Sequence, residues 1–328
     1  MSTAETRRGR VTDRGLFADM RGDLGHPPLL FLHGGPGQGC SDFMAVQGDR
    51  LSASVRLIGL DQRGAGRSAP LPDGARLTIA DLLDDCERLR RALGIERWAV
   101  LGASFGAGLA LRYAVAHPRS VAAVIFENPG WDAALTARAV LPRIAPVLAA
   151  RGSHAEARAA LAAAADPAIS PRELWTAYAT ARDALGDDRE AFFIPDEAAR
   201  ARLAAARAAA SGTGQDDHPA AGERSTARAR SEIIADPAFV ESLLPLLPRL
   251  RAPALLVIGG RDPLASPEQR AAFESGPYRR QVAQFANAGH VAHVQDPLQY
   301  AGTVSDFVRS AAGDLSGTGT GQVPATGW

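Results

Sequence analysis

Short apolar runs alternate with stretches of helical period through the first part of this chain, and one strand-to-helix junction reads Gly102-Ala103-Ser104-Phe105-Gly106. Residues 29–32, 55–60, 98–101 and 121–126 have the length and composition of buried strands, and residues 79–93 place apolar side chains at helical spacing. Such alternation predicts a parallel sheet with helices on both faces. At the junction, glycines on either side of Ser104 permit a turn too tight for side chains. That turn would lift the Ser104 hydroxyl into a pocket, at the first amides of a helix, where N–H groups face an incoming anion.

From about residue 128 to 247 the chain is rich in alanine and arginine and helical in period, with no strand pattern. Strand-like runs return at 254–258 and 281–285. The expected layout is an α/β core of residues 1–128 and 248–312, with a helical cap of residues 129–247 over the active site. The low-complexity stretch 211–219 predicts a mobile loop near 211–225, and the Gly/Thr/Ser-rich residues 313–328 predict a disordered tail. The 328 residues, 46% hydrophobic, suffice for a substantial core.

Charge and cysteine content narrow the function. The 36 basic residues, all arginine, balance 36 acidic ones. Zero net charge argues against nucleic acid or a membrane as the main partner, so a small molecule or short peptide is expected. Arginines such as Arg88, Arg90 and Arg91 read as solvated helix faces. No apolar run is expected to span a membrane, and the polar Met1–Arg10 segment has no signal-like apolar stretch, so a cytoplasmic location is expected. Cys40 and Cys86 fit neither a disulfide framework nor a metal site. His26, His117, His154 and His218 lack metal-ligand spacing, and no dinucleotide or phosphate-loop motif is present. Neither a metal nor an organic cofactor is expected.

Three further segments supply chemistry. His33-Gly34-Gly35-Pro36-Gly37 follows the first strong strand. Acyl transfer needs two backbone N–H donors aimed at the developing oxyanion, and Gly35 and Phe105 are the expected pair; losing one such donor costs about 3 kcal/mol. Asp262 closes the strand at 254–258 and is the candidate carboxylate, ahead of Asp236 and Asp296, neither of which directly follows a core strand. His290 follows the last strand and is the candidate general base, with His293 as its rival. The order serine, acid, histidine is that of the α/β-hydrolases.

Taken with Asp61-Gln62-Arg63-Gly64-Ala65-Gly66-Arg67-Ser68, the His33–Gly37 loop resembles the prolyl iminopeptidase family of α/β-hydrolases. The resemblance covers residues 16–128 and 248–310 well and the cap poorly. It implies an α/β-hydrolase fold, a mostly parallel sheet flanked by helices with an inserted helical cap. It also implies a cofactor-free serine peptidase that releases an N-terminal residue, with Ser104, Asp262 and His290 as the triad. In that family cap glutamates bind the substrate's α-amino group. Ala229-Arg230-Ser231-Glu232 matches one such stretch, making Glu232 a candidate amine ligand; a solvated helix-face charge is the competing reading. The segment Trp175-Thr176-Ala177-Tyr178-Ala179 stands nearest the other, with alanine at the glutamate position. Phe105 stands where the family usually has tryptophan. Gly34, Trp175 and Tyr178 complete the expected substrate-binding set. The leading expectation is therefore an iminopeptidase-like aminopeptidase. An esterase, lactonase or acyltransferase for a specialised metabolite is the alternative, and a non-catalytic binding protein on the same fold is the contrasting class. The motifs do not fix substrate identity or oligomeric state.

Overall fold

The computed structural model describes residues 7–10, 14–211 and 219–315. Eight strands form one sheet: β1 (Arg7–Arg10), β2 (Phe17–Arg21), β3 (Pro28–Leu32), β4 (Arg56–Asp61), β5 (Trp98–Ala103), β6 (Val121–Glu127), β7 (Ala254–Gly259) and β8 (Arg280–Phe285). Their spatial order is β1-β2-β4-β3-β5-β6-β7-β8. Strands β3 to β8 pair in parallel, whereas β1 and β2 join antiparallel at one edge. Strand β1 reads Arg-Arg-Gly-Arg and β2 mixes polar and apolar residues, so no continuous apolar run announces either in the sequence.

Alternate side chains along each strand feed two separate cores, as the period of two requires. Leu30, Leu32, Val100, Val124 and Leu256 face one layer, with α2 (Ile79–Ala92) and α3 (Phe105–Ala116). Leu29, Phe31, Leu101, Ile125 and Val257 face the other, with α1 (Ser41–Ser52) and α12, which spans Pro297–Leu315. Burying each such aliphatic side chain stabilises the fold by about 1.5–3 kcal/mol. Helix α2 begins at a capping box in which Thr78 and Asp81 satisfy each other's backbone amides.

Between β6 and β7 the described chain is helical. It runs through α4 (Ala133–Ala150), α5 (His154–Ala165), α6 (Pro171–Ala184), α7 (Asp188–Phe193), α8 (Glu197–Ser211) and α9 (Pro219–Ala235), then two 3₁₀ turns at Pro237–Val240 and Leu244–Arg249. Helices α4, α5 and α6 share their own core, built on Leu141, Ile144, Leu148, Leu174 and Tyr178. Contrary to the sequence reading, α4 is long and apolar enough by length and composition to cross a membrane. Its Val140, Leu141, Ile144 and Leu148 are spent instead on packing against α5 and α6. Two further expectations change. Residues 219–225, read as loop, open α9, and residues 313–315, read as tail, close α12; alanine at 220 and 221 and at 311 and 312 favours helix there. The rest of both predicted segments, 212–218 and 316–328, lies outside the described residues. The short α10 (Pro267–Ser275) and α11 (Ala292–Gln295) flank β8.

Candidate active site

Ser104 sits between the end of β5 and the start of α3 with φ 53° and ψ −116°, a backbone region that L-residues seldom adopt. The surrounding contacts impose it. A Cβ on Gly102 would lie 2.2 Å from the Gly106 carbonyl oxygen, and one on Gly106 would lie 2.1 Å from the Leu32 carbonyl oxygen. Strand and helix therefore meet backbone to backbone, and the serine between them turns outward. Its own amide donates to the Glu127 carbonyl at 2.9 Å, tying the turn to β6.

The three residues separated by 158 and 28 positions in sequence meet in one hydrogen-bonded chain. His290 Nε2 is 3.0 Å from Ser104 Oγ, and His290 Nδ1 is 3.1 Å from both Oδ1 and Oδ2 of Asp262. A carboxylate only accepts, so Nδ1 carries the proton and Nε2 is left to accept from the serine hydroxyl. Asp262 is buried and also accepts from the Leu264 amide at 3.0 Å. Burial alone would lower the pKa of His290, but the charge and hydrogen bonds of Asp262, with a contribution from Glu127, raise it above its ordinary value.

Asn128, which the sequence reading treated only as a boundary, aligns the last two members of this chain. Its Nδ2 donates to the His290 carbonyl at 2.8 Å and the Gly289 carbonyl at 3.2 Å, while its Oδ1 accepts from the Gly259 amide at 2.8 Å. One side chain thus clamps the loop carrying His290 to the strand end leading to Asp262. Asn128 has φ 43°, a conformation that asparagine tolerates better than most residues. Its place directly after a core strand was the available signal.

The rival residues are engaged elsewhere. His293 Nδ1 is 2.8 Å from the buried carboxylate of Glu127, which also accepts from the His293 amide and the Tyr300 hydroxyl. Burial raises the Glu127 pKa, but the His293 charge and these hydrogen bonds outweigh it and hold it below its ordinary value. Asp236 caps the 3₁₀ turn at 237–240 and accepts from the Ile79 amide. Asp296 accepts from the Gln299 amide at the start of α12.

The glycine loop lies against the serine: a Cβ on Gly34 would come 3.3 Å from Ser104 Cβ. His33 anchors it. Its Nε2 accepts from the Gln62 amide at 3.1 Å, so Nδ1 is the protonated nitrogen and donates to the Gly34 carbonyl at 2.9 Å. Burial lowers the His33 pKa, keeping the ring neutral as this double role requires. The Asp61–Ser68 turn supports the loop from below. Asp61 accepts from the amides of Cys40 and Arg67 and from Arg67 Nε, while the Ser68 hydroxyl donates to the Asp61 carbonyl. Phe105 is the first residue of α3, so its amide has no carbonyl one turn back to bond.

A cavity of about 510 Å³ opens over Ser104 and His290. Gly34, Gly35, Phe105, Trp175 and Tyr178 line it, together with α7 and α9 residues. Trp175 packs edge-on against Tyr178 and Phe239, with ring centroids 5.2 and 4.8 Å away. Glu232 is not among the lining residues; it forms an ion pair with Arg76 at 3.1 Å. The lining positions on α9 are Arg230 and Ile234. Residue 232 is two positions, or about 200°, away from each around the helix.

A family model described as the alpha/beta hydrolase fold matches residues 27–164. The structure aligns over 95% of this chain and 99% of the proline iminopeptidase of Mycobacterium smegmatis, with a TM-score of 0.69 at 21% identity. This chain has the α/β-hydrolase fold. A proline iminopeptidase-related protein of Thermus thermophilus aligns over 94% of this chain and 98% of its own, with a TM-score of 0.67 at 24% identity. In sequence the likeness is local. The proline iminopeptidase of Xylella fastidiosa is 44% identical over 113 residues, which cover 34% of this chain and 36% of the relative. That of Xanthomonas citri is 46% identical over 106 residues, 32% and 33% of the two chains. The matched stretch thus spans about a third of the length of these relatives. In this α/β-hydrolase frame Ser104 occupies the strand-to-helix turn, and the helical segment between β6 and β7 supplies much of the cavity wall.

Proposed function

We propose that this chain is a serine hydrolase that cleaves a small amide or ester through an acyl-enzyme. The observation that carries the reading is the continuous chain from Ser104 Oγ through His290 to Asp262, facing a cavity of about 510 Å³. His290 Nε2 takes the hydroxyl proton as Ser104 attacks the substrate carbonyl carbon. Asp262 stabilises the imidazolium so formed. The oxyanion is held by the amides of Phe105 and Gly35. Protonated His290 then passes its proton to the leaving group, and a water activated by the same imidazole releases the acyl group.

The direct test is labelling with a fluorophosphonate. A single adduct located on Ser104 by peptide mass spectrometry is the expected result. Folded protein that takes up no label would favour a binding protein on the same scaffold. The raised pKa of His290 sets the pH dependence. The base works only when neutral, so kcat/KM should fall as the pH drops through a value above the ordinary 6.5 of histidine. A profile flat from pH 6 to pH 8 would remove His290 from the base role.

Within this reading, the named relatives favour an aminopeptidase that removes an N-terminal residue, proline among them. The placement of Glu232 outside the cavity favours the second version, an esterase, lactonase or acyltransferase, because the amine ligand that the motif suggested faces Arg76 instead.

A further inference from the structure

Four arginines line the cavity, Arg182, Arg189, Arg207 and Arg230, against Asp42, Asp187 and Glu190. Arg207 is neutralised between Asp42 and Glu190, at 2.9 and 2.8 Å. Arg182 is paired with Asp183 at 2.8 Å and stands one helical turn from Tyr178, its guanidinium carbon 5.8 Å from that ring's centre. Among the described residues, neither Arg189 nor Arg230 has a carboxylate partner. Arg230 is tethered through Nε to the Pro36 carbonyl at 3.0 Å, so its position is fixed against the glycine loop beside Ser104 while its terminal nitrogens remain available. Burial lowers the pKa of Arg230, and the like charges of Arg182 and Arg189 lower it further, with Asp183 partly offsetting them. Arg189 and Arg230 are solvent-exposed within this lining, and their positive charge there favours an anion.

We infer that Arg230 and Arg189, with Arg182 behind them, hold a carboxylate on the substrate. The cleaved amide or ester would therefore carry a negative charge on the portion that lies under α7 and α9. Arg230 on the loop side and Arg189 on α7 both line the cavity, and arginine is suited to holding a carboxylate. Asp187, the lining carboxylate with no ion pair among the described residues, repels an anion and would favour an ammonium. Two free guanidinium groups against one free carboxylate decide the sign. This inference rests on the serine hydrolase reading, and the experiment separates the two.

The test compares three substrates on the intact protein: mono-4-nitrophenyl glutarate, the neutral 4-nitrophenyl valerate, and prolyl-4-nitroanilide with its free ammonium. The glutarate ester should exceed the valerate ester in kcat/KM by about tenfold or more, as expected for one charge-assisted contact. Arg230→Gln and Arg189→Gln should each collapse that ratio toward one. The ratio is taken within each variant, so a general loss of folding or activity cancels. Added glutarate should also slow fluorophosphonate labelling of Ser104 in the parent and not in the variants. Valerate cleavage that depends on Ser104 without a glutarate preference, or a preference that survives both substitutions, overturns the anion site alone. Efficient prolyl-anilide cleavage lost in Asp187→Asn would reverse the assigned charge. Absence of Ser104-dependent turnover and of labelling defeats the hydrolase reading, and this inference falls with it.

Discussion

Ser104→Ala should lower kcat/KM by roughly 10⁴- to 10⁶-fold, the range seen when a nucleophile is removed from such a relay. The size follows from geometry. Oγ is the atom 3.0 Å from His290 Nε2, and with it gone the imidazole has no proton to take and the substrate no covalent partner. What remains is the oxyanion pair and binding in the cavity, which by themselves retain only about 10³- to 10⁴-fold over water. Stability should change little or rise, because alanine removes a hydroxyl from a site whose backbone strain the neighbouring contacts already enforce. Initial rates on an activated ester, alongside a thermal melt of the same preparation, read both quantities. Turnover within tenfold of the parent would mean that the chemistry lies elsewhere.

Gly106→Ala should destabilise the fold by roughly 3–5 kcal/mol, at the upper end of what single substitutions do. Local propensity predicts the opposite sign, because residue 106 is in the first turn of α3 and alanine is favoured over glycine in helices by about 1 kcal/mol. The added methyl, however, would sit 2.1 Å from the Leu32 carbonyl oxygen and 2.7 Å from that of His33. Leu32 cannot retreat, since β3 is hydrogen-bonded on both sides, to β4 and β5, and the His33 carbonyl accepts from Gln62 Nε2. Either the helix lifts away from the sheet, taking Ser104 with it, or the protein fails to fold. Denaturant unfolding measures the loss, against the 5–15 kcal/mol that a domain usually has to spare. An unchanged or raised midpoint would show that strand and helix do not approach as closely as described.

These two positions illustrate what was readable in advance. The motif around residue 104 could be recognised because its glycines answer a local demand, a reversal in which strand and helix touch. His290 and Asp262 were placed by a similar rule, each lying just beyond a core strand. Asn128 was not singled out, since its three hydrogen-bond partners lie on two other segments, at residues 259, 289 and 290. Strands β1 and β2 were missed because neither carries a continuous apolar run; β2 is held by pairing with β4, and β1 by pairing with β2.

The sequence by itself determined the α/β alternation, the position of the helical segment and the order of serine, acid and histidine, because strand burial and tight turns are set by neighbours a few residues away. Only the tertiary structure decided which side of α9 meets the cavity. Ala229 and Ile233, four residues apart, are buried in the core beneath it, and that contact fixes the rotation of the helix. Arg230 and Ile234 are thereby turned into the cavity and Glu232 out toward Arg76. A helix of mostly small and charged residues has no strong apolar stripe to announce its inward face. That α9 turns Arg230 rather than Glu232 toward the cavity was settled by packing.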